Sequence, residues 1–338
     1  MRLLVTGGAG YVGSAVAAYL LEAGHEVVVL DDESTGHADN VPAGADYVRG
    51  TIQDAAADVL AEEIDAVLHF AAKSLVAESV ANPATYWSNN LGGTLALLEA
   101  MRRTGVNSIV FSSTAATYGQ PERIPIEEGD PTRPVNPYGA SKLAVDVTLT
   151  SYASLTGIGA VSLRYFNVAG AYREPGDRWL AERHSPETHL IPNILKIALA
   201  VSGDPEAQDA VATAGGAAEV QIFGDDYDTP DGTCIRDYIH VADLAKAHHL
   251  ALGACEPGEH RIYNLGNGTG YSNREVLAMC REVTGVDIPA TMAPRRPGDP
   301  ATLVASAARI HHDLGWKAKL DLRSMVEDAW AATQATIR

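Results

Sequence analysis

An α/β fold built on a parallel sheet is predicted by three features of the chain. Short runs rich in Val and Leu alternate with helical patterns through the first half. A glycine turn, Thr6-Gly7-Gly8-Ala9-Gly10-Tyr11-Val12-Gly13, follows the first run and opens an apolar-periodic helix from Tyr11 to Glu22. An acid, Asp31, ends the second run about 20 residues further on, where a dinucleotide-binding unit places one.

In chain order, the predicted strands are Leu3 to Thr6, Glu26 to Leu30, Asp46 to Val48, Ala66 to His69, Ser108 to Phe111 and Ala160 to Arg164. This succession suits a Rossmann-type, doubly wound parallel sheet. Two helix starts are predicted at Asn82-Pro83 and Asn136-Pro137, each pairing a capping side chain with a proline at the first helical position. After about Gly170 the alternation loosens into loops rich in Pro, Gly, Asp and His. An Ala/Gly-rich stretch near Val211 to Ala218 reads as a surface insertion without chemistry. The expected division is therefore a nucleotide-binding domain over residues 1–170 and a smaller C-terminal α/β substrate lobe over 171–338, with some segments returning to the core. No internal repeat is evident.

With 338 residues, 46% of them hydrophobic, the chain can bury an ample core. A formal net charge of -18 and a pI near 4.9 argue against nucleic acid or an anionic membrane surface as partner. Any anionic ligand must be held locally, by a few cations and backbone amides. The three cysteines, Cys234, Cys255 and Cys280, lie far apart and are odd in number, so a reducing, cytoplasmic setting is expected. The opening Met1-Arg2-Leu3-Leu4-Val5 is too short for a signal segment, and no apolar run reaches bilayer length.

Glycines at 7, 10 and 13 permit a tight turn, close approach of backbone to a pyrophosphate, and close packing of helix on strand. The helix N-terminus adds free amides and a positive dipole end. A glycine turn can also merely pack a helix on a strand; strand, turn, helix and acid in sequence argue for the dinucleotide. FAD would use the same turn. Asp31 can accept both ribose hydroxyls and repel a 2'-phosphate, aided by Asp32 and Glu33, which favours NAD over NADP.

Tyr138 and Lys142 lie four apart on the helix that starts at Pro137, hence on one face. A phenol acts as a base near neutrality only if cations favour its phenolate, and Lys142 with an oxidised nicotinamide would do so.

The glycine turn together with Tyr138-Gly139-Ala140-Ser141-Lys142 resembles the extended short-chain dehydrogenase/reductase superfamily. Within it, several phrases are similar to the UDP-glucose 4-epimerases. They are His69-Phe70-Ala71-Ala72, Asn89-Asn90-Leu91-Gly92-Gly93-Thr94, Phe111-Ser112-Ser113-Thr114, Leu163-Arg164-Tyr165-Phe166-Asn167, Arg236-Asp237-Tyr238-Ile239-His240 and Arg295-Arg296-Pro297-Gly298-Asp299. Sugar-nucleotide dehydratases of the superfamily carry an Asp-Glu pair after the catalytic Thr; here Thr114 is followed by Ala115-Ala116, whose methyl groups cannot move the protons of an elimination.

The resemblance implies Tyr138 as base, Lys142 as the residue that lowers its pKa and binds nicotinamide ribose, and Thr114 as hydrogen-bond partner of the reacting hydroxyl. It implies NAD contacts from Gly7, Gly10, Tyr11, Val12 and Gly13, and from Asp31, Asp32, Ser34, Thr35 and Gly36. Further contacts are implied for Thr51, Ile52, Phe70, Ala71, Ala72, Lys73, Asn89, Ser112 and Tyr165. For a UDP-hexose it implies Thr114, Tyr138, Asn167, His189, Leu190, Phe223, Arg236, Arg296 and Asp299, the two arginines being candidates for the diphosphate.

Two departures stand out. Thr51 replaces the usual aspartate near the adenine and offers only a hydroxyl, and Leu303 is neither the bulky nor the small residue that would decide acceptance of an N-acetyl group. No metal is expected, because His184 with His189, or His311 with His312, shows no third ligand at metal-site spacing. A homodimer through the helices beginning at Pro83 and Pro137 is implied by the resemblance. The expected reaction is interconversion of UDP-glucose and UDP-galactose by oxidation at carbon 4, turning of the 4-keto sugar and return of hydride. The alternatives are a UDP-glucuronate epimerase or decarboxylase, a UDP-N-acetylglucosamine 4-epimerase, or a dinucleotide sensor without catalysis.

Overall fold

The computed structural model describes residues 1–338 apart from Pro186, residues 214–217, Pro297 and residues 337–338. Strands β1 (Arg2–Thr6), β2 (Glu26–Asp31), β3 (Asp46–Arg49), β4 (Ala66–His69), β5 (Ser108–Thr114) and β6 (Gly159–Tyr165) form one parallel sheet. A seventh strand, His260–Leu265, joins its edge, giving the order His260–Leu265, β6, β5, β4, β1, β2, β3.

These strands read as unbroken apolar runs because both faces are covered. Successive side chains point to opposite faces. Leu3, Val5, Val27, Val29, Val161 and Leu163 therefore pack beneath helices Tyr11–Glu22 and Val241–Leu252. Leu4, Val28, Leu30, Val67, Ile109 and Phe111 meet helices Ile52–Leu60, Gly93–Thr104 and Pro137–Thr156 on the other side. The chain order reverses between β1 and β4, and a crevice opens at the carboxyl ends of the strands there.

Strands β5 and β6 run further than the sequence suggests. Their pairing continues to Thr114 opposite Tyr165, so the polar ends Ser112, Thr114 and Tyr165 are held in register by backbone bonds that propensity alone does not reveal. The helix at Pro137 starts as expected, with the Asn136 side chain accepting from the Gly139 amide at 2.8 Å. The cap predicted at Asn82 is not formed. That residue ends helix Val76–Ala81, its own amide donating to Glu78, which leaves its backbone at φ -131 and ψ 62 and its side chain without a capping role. Helix Pro83–Tyr86 continues into a wider π turn, Trp87–Gly92, and then into helix Gly93–Thr104.

Beyond β6, strand Val220–Phe223 pairs with Ala290–Ala293, and strand Ile235–His240 pairs with Gly270–Ser272, Thr302–Leu303 and Asn167–Ala169. Ile194, Leu195, Val220, Ile222, Val276, Leu277, Met325 and Val326 form a separate core there. Asp237, fully buried, accepts the amides of Asn267, Gly268 and Ala305 and so gathers two loops around this sheet. Of the Ala/Gly-rich stretch, Val211 to Thr213 end helix Pro205–Thr213, which buries no residue, and residues 214–217 lie outside the described residues. Among the described residues no helix is long and apolar enough to cross a membrane.

Candidate active site

A cleft of about 1330 Å³ lies along the carboxyl ends of β1, β2, β4, β5 and β6. Its floor at β1 is the glycine turn. Gly7 has φ +75, and a Cβ there would lie 2.5 Å from the Ala71 amide nitrogen; a Cβ on Gly13 would lie 2.2 Å from the Gly7 carbonyl oxygen. Only bare backbone lets β1, the helix and the β4 loop approach this closely. Helix Tyr11–Glu22 starts without a side-chain cap, so its first amides are free for an anion. The turn is thus a cradle that fits a dinucleotide diphosphate.

At the end of β2, Asp31 accepts from the amides of Ala9 at 3.0 Å and Glu33 at 2.7 Å. Burial raises its pKa, and those two amides oppose the shift. Thr51 caps helix Ile52–Leu60 and donates to Asp54 at 2.7 Å, so its proton is committed within the chain. Asp54 itself lines the cleft and brings a carboxylate to this end that the sequence reading did not include.

The loop after β4 is fixed by Asn90, which accepts from the Lys73 amide at 2.9 Å and donates to the Lys73 carbonyl at 3.0 Å and to Ser141 at 3.0 Å. The π turn places Asn90 inward while its neighbour Asn89 faces the cleft. His69 sits between the Thr6 and Thr94 hydroxyls at 2.7 and 2.8 Å; burial drives its pKa down to about 3, so it is neutral.

Tyr138 and Lys142 share one face of helix Pro137–Thr156, opposite the end of β5. The Lys142 ammonium donates to the Ser112 carbonyl at 2.8 Å and lies 4.7 Å from the Phe111 ring centre. Burial pushes its pKa down to about 7, and Asp146 opposes that shift. Burial also raises the Tyr138 pKa, opposed by the Thr114 hydroxyl. The sequence argument has Lys142 together with an oxidised nicotinamide lowering that value; among the protein's own groups desolvation dominates. Tyr86 packs edge-on against Tyr138, ring centres 6.4 Å apart. Tyr165 bonds the Ser112 hydroxyl.

Every residue assigned to the cofactor from sequence lines this cleft, as do Thr114, Asn167, His189, Arg296 and Asp299. Leu190, Phe223 and Arg236 do not. Leu190 starts helix Leu190–Val201, and Phe223 supports Arg296, whose guanidinium stacks 4.1 Å from the ring centre. Arg236 is held by Asp299 at 2.5 Å and by the Ile235 carbonyl at 2.7 Å, which leaves Arg296 as the cleft's arginine.

The opposite wall brings Glu182, His184 and His189 into the cleft, with Glu187 behind them. Donor atoms of all four lie within 4.8 Å of one another, which corrects the expectation that these histidines have no further ligand-type neighbours. Glu182 and Glu187, drawn in by loop closure, were the residues missed. Against the burial that would lower it, they drive the His189 pKa up to about 10.

The chain matches the description "NAD dependent epimerase/dehydratase family" over residues 3–266, and "GDP-mannose 4,6 dehydratase" over residues 210–329, a segment that excludes Thr114-Ala115-Ala116. A UDP-glucose 4-epimerase of Corynebacterium glutamicum is 54% identical over 99% of this chain and 96% of its own. One of Streptomyces lividans is 56% identical over 97% of this chain and 95% of its own. The crystal structure of UDP-glucose 4-epimerase from Brucella ovis in complex with NAD superposes with a TM-score of 0.86 at 43% identity, covering 97% of each chain. With this cradle, this tyrosine–lysine pair and full-length similarity, the chain belongs to the NAD dependent epimerase/dehydratase family.

Proposed function

We propose that the protein interconverts UDP-glucose and UDP-galactose by inversion at carbon 4. The observation that carries this reading is the grouping of Tyr138, Lys142 and Thr114 beside the glycine cradle, with Ala115 and Ala116 where an elimination would need an acid and a base. NAD, when bound, supplies the hydride acceptor and donor. The residues proposed to hold it are the glycine turn, Asp31 and Lys142.

Thr114 holds the reacting hydroxyl. Tyr138 removes its proton once bound positive charge offsets the desolvation that keeps the phenol neutral, and returns it after the sugar has turned. Lys142, pinned to the Ser112 carbonyl, stands on the same helix face as the base. Arg296 neutralises the diphosphate while the hexose turns, so residues 1–170 serve the cofactor and residues 171–338 supply that cation. Tyr138→Phe is expected to keep its NAD and lose about 10²- to 10⁴-fold in rate. Full activity of that variant without added reductant would overturn the assignment of the base.

A homodimer is part of the same proposal. Trp87 and Leu95 on the segment from Pro83, and Val147 on the adjoining helix from Pro137, are 41%, 38% and 63% exposed, an apolar face that a second copy would cover. Sedimentation of the wild type against Val147→Glu tests it. A cytoplasmic setting fits the three unpaired thiols.

A further inference from the structure

We infer that Glu182, His184, Glu187 and His189 form a binding site for one divalent transition-metal ion of the zinc class on the wall of the cleft. The four residues fall within the short stretch Glu182-Arg183-His184-Ser185-Pro186-Glu187-Thr188-His189. Glu182 lies 2.9 Å from His184 Nδ1 and 2.6 Å from His189 Nδ1, and Glu187 lies 3.1 Å from His189 Nδ1. The two imidazole rings are 5.4 Å apart, at 44°. Four donors at about 2.0–2.2 Å from a tetrahedral ion stand roughly 3.4 Å from one another. Donor atoms already within 4.8 Å of each other reach that spacing by side-chain adjustment alone.

A separate observation points to a ligand. The Glu187 side chain is 2% exposed and its Oε2 is buried without a hydrogen-bond partner among the described residues, while Oε1 accepts the amides of Thr188 and His189. Such a carboxylate oxygen is a place for a cation or an ordered water. Two imidazoles and two carboxylates suit zinc, cobalt or nickel; calcium, which takes six to eight oxygens, is a poor match. Two carboxylates balance a divalent charge, and the imidazoles bind it in their deprotonated form. The loop is anchored from outside the cluster, since Arg183 bonds Asp39 at 2.6 and 3.0 Å and its carbonyl meets His37 at 3.1 Å. Proton and hydride transfer need no metal, so the site is additional to the proposed chemistry.

The test is metal binding, measured without turnover. Protein stripped with chelator, NAD retained, is titrated with Zn²⁺ by calorimetry and with Co²⁺ by visible absorption. One saturable ion per chain is expected, with Co²⁺ showing the intense bands of a four-coordinate centre and Zn²⁺ displacing it. Glu187→Gln and His184→Ala, each checked for native circular dichroism, are expected to weaken Zn²⁺ at least tenfold. Absence of a saturable ion, or unchanged affinity in both variants, overturns the proposal; if one variant fails to fold, the other decides.

Discussion

Replacing Asp146 by Asn isolates what the buried charges beneath the active helix contribute. Asp146 and Arg164 have side chains 2% and 4% exposed and meet through two bonds at 2.7 and 2.9 Å, with Ser113 donating to the same carboxylate oxygen at 3.2 Å. Arg164 also stacks 5.0 Å from the centre of Tyr118, so its guanidinium cannot turn to water. Removing one member of a buried pair leaves the other charge uncompensated, which costs about 3–5 kcal/mol. At roughly 2 °C per kcal/mol for a large domain, the unfolding midpoint falls by about 6–10 °C in differential scanning calorimetry. Asp146 is also the group that pulls the Lys142 pKa upward, so the variant lowers it below about 7. Asp146→Leu with Arg164→Met removes both charges and is expected to recover most of the loss. A single variant melting within about 2 °C of wild type would refute the claim that this pair is uncompensated when broken.

Two further outcomes are expected. Asp31→Asn weakens retained NAD by roughly tenfold to a hundredfold, the range for a lost charged hydrogen bond, and narrows the preference over NADP; an unchanged preference in equilibrium dialysis would place the selectivity elsewhere. His189 has its pKa raised to about 10 by Glu182 and Glu187. Below pH 6.5 it is protonated whether folded or unfolded, so its stabilisation is complete there and is lost as pH rises from about 6.5 through 10. The stability difference between wild type and His189→Asn, from urea unfolding, is therefore expected to shrink across that window; a difference that grows would contradict the ion-pair geometry.

The six predicted strands, the glycine cradle, the capped helix at Asn136 and the Tyr138–Lys142 pair were legible because each is encoded within a few residues: a period, a turn chemistry, an i to i+4 spacing. Thr51 and Asp54 lie close enough for their hydroxyl–carboxylate bond to follow from a helix start, yet only the folded loop shows that the hydroxyl's proton is committed. Other features depend on residues far apart in the chain. Strand His260–Leu265 completes the sheet because β6 presents an unpaired edge to it. Asp299 takes up Arg236 and leaves Arg296 in the cleft, a choice between two equally plausible cations that a sequence separation of 63 cannot express.

The amino-acid sequence by itself determined that a dinucleotide cradle and a tyrosine–lysine pair exist, since backbone sterics and helical spacing act over a few residues. Tertiary structure decided their electrical state. Burial keeps Tyr138 neutral and lowers Lys142, and loop closure sets Glu182 and Glu187 around His189. Desolvation and charge pairing depend on what surrounds a group in space, and that is settled only when the chain has folded.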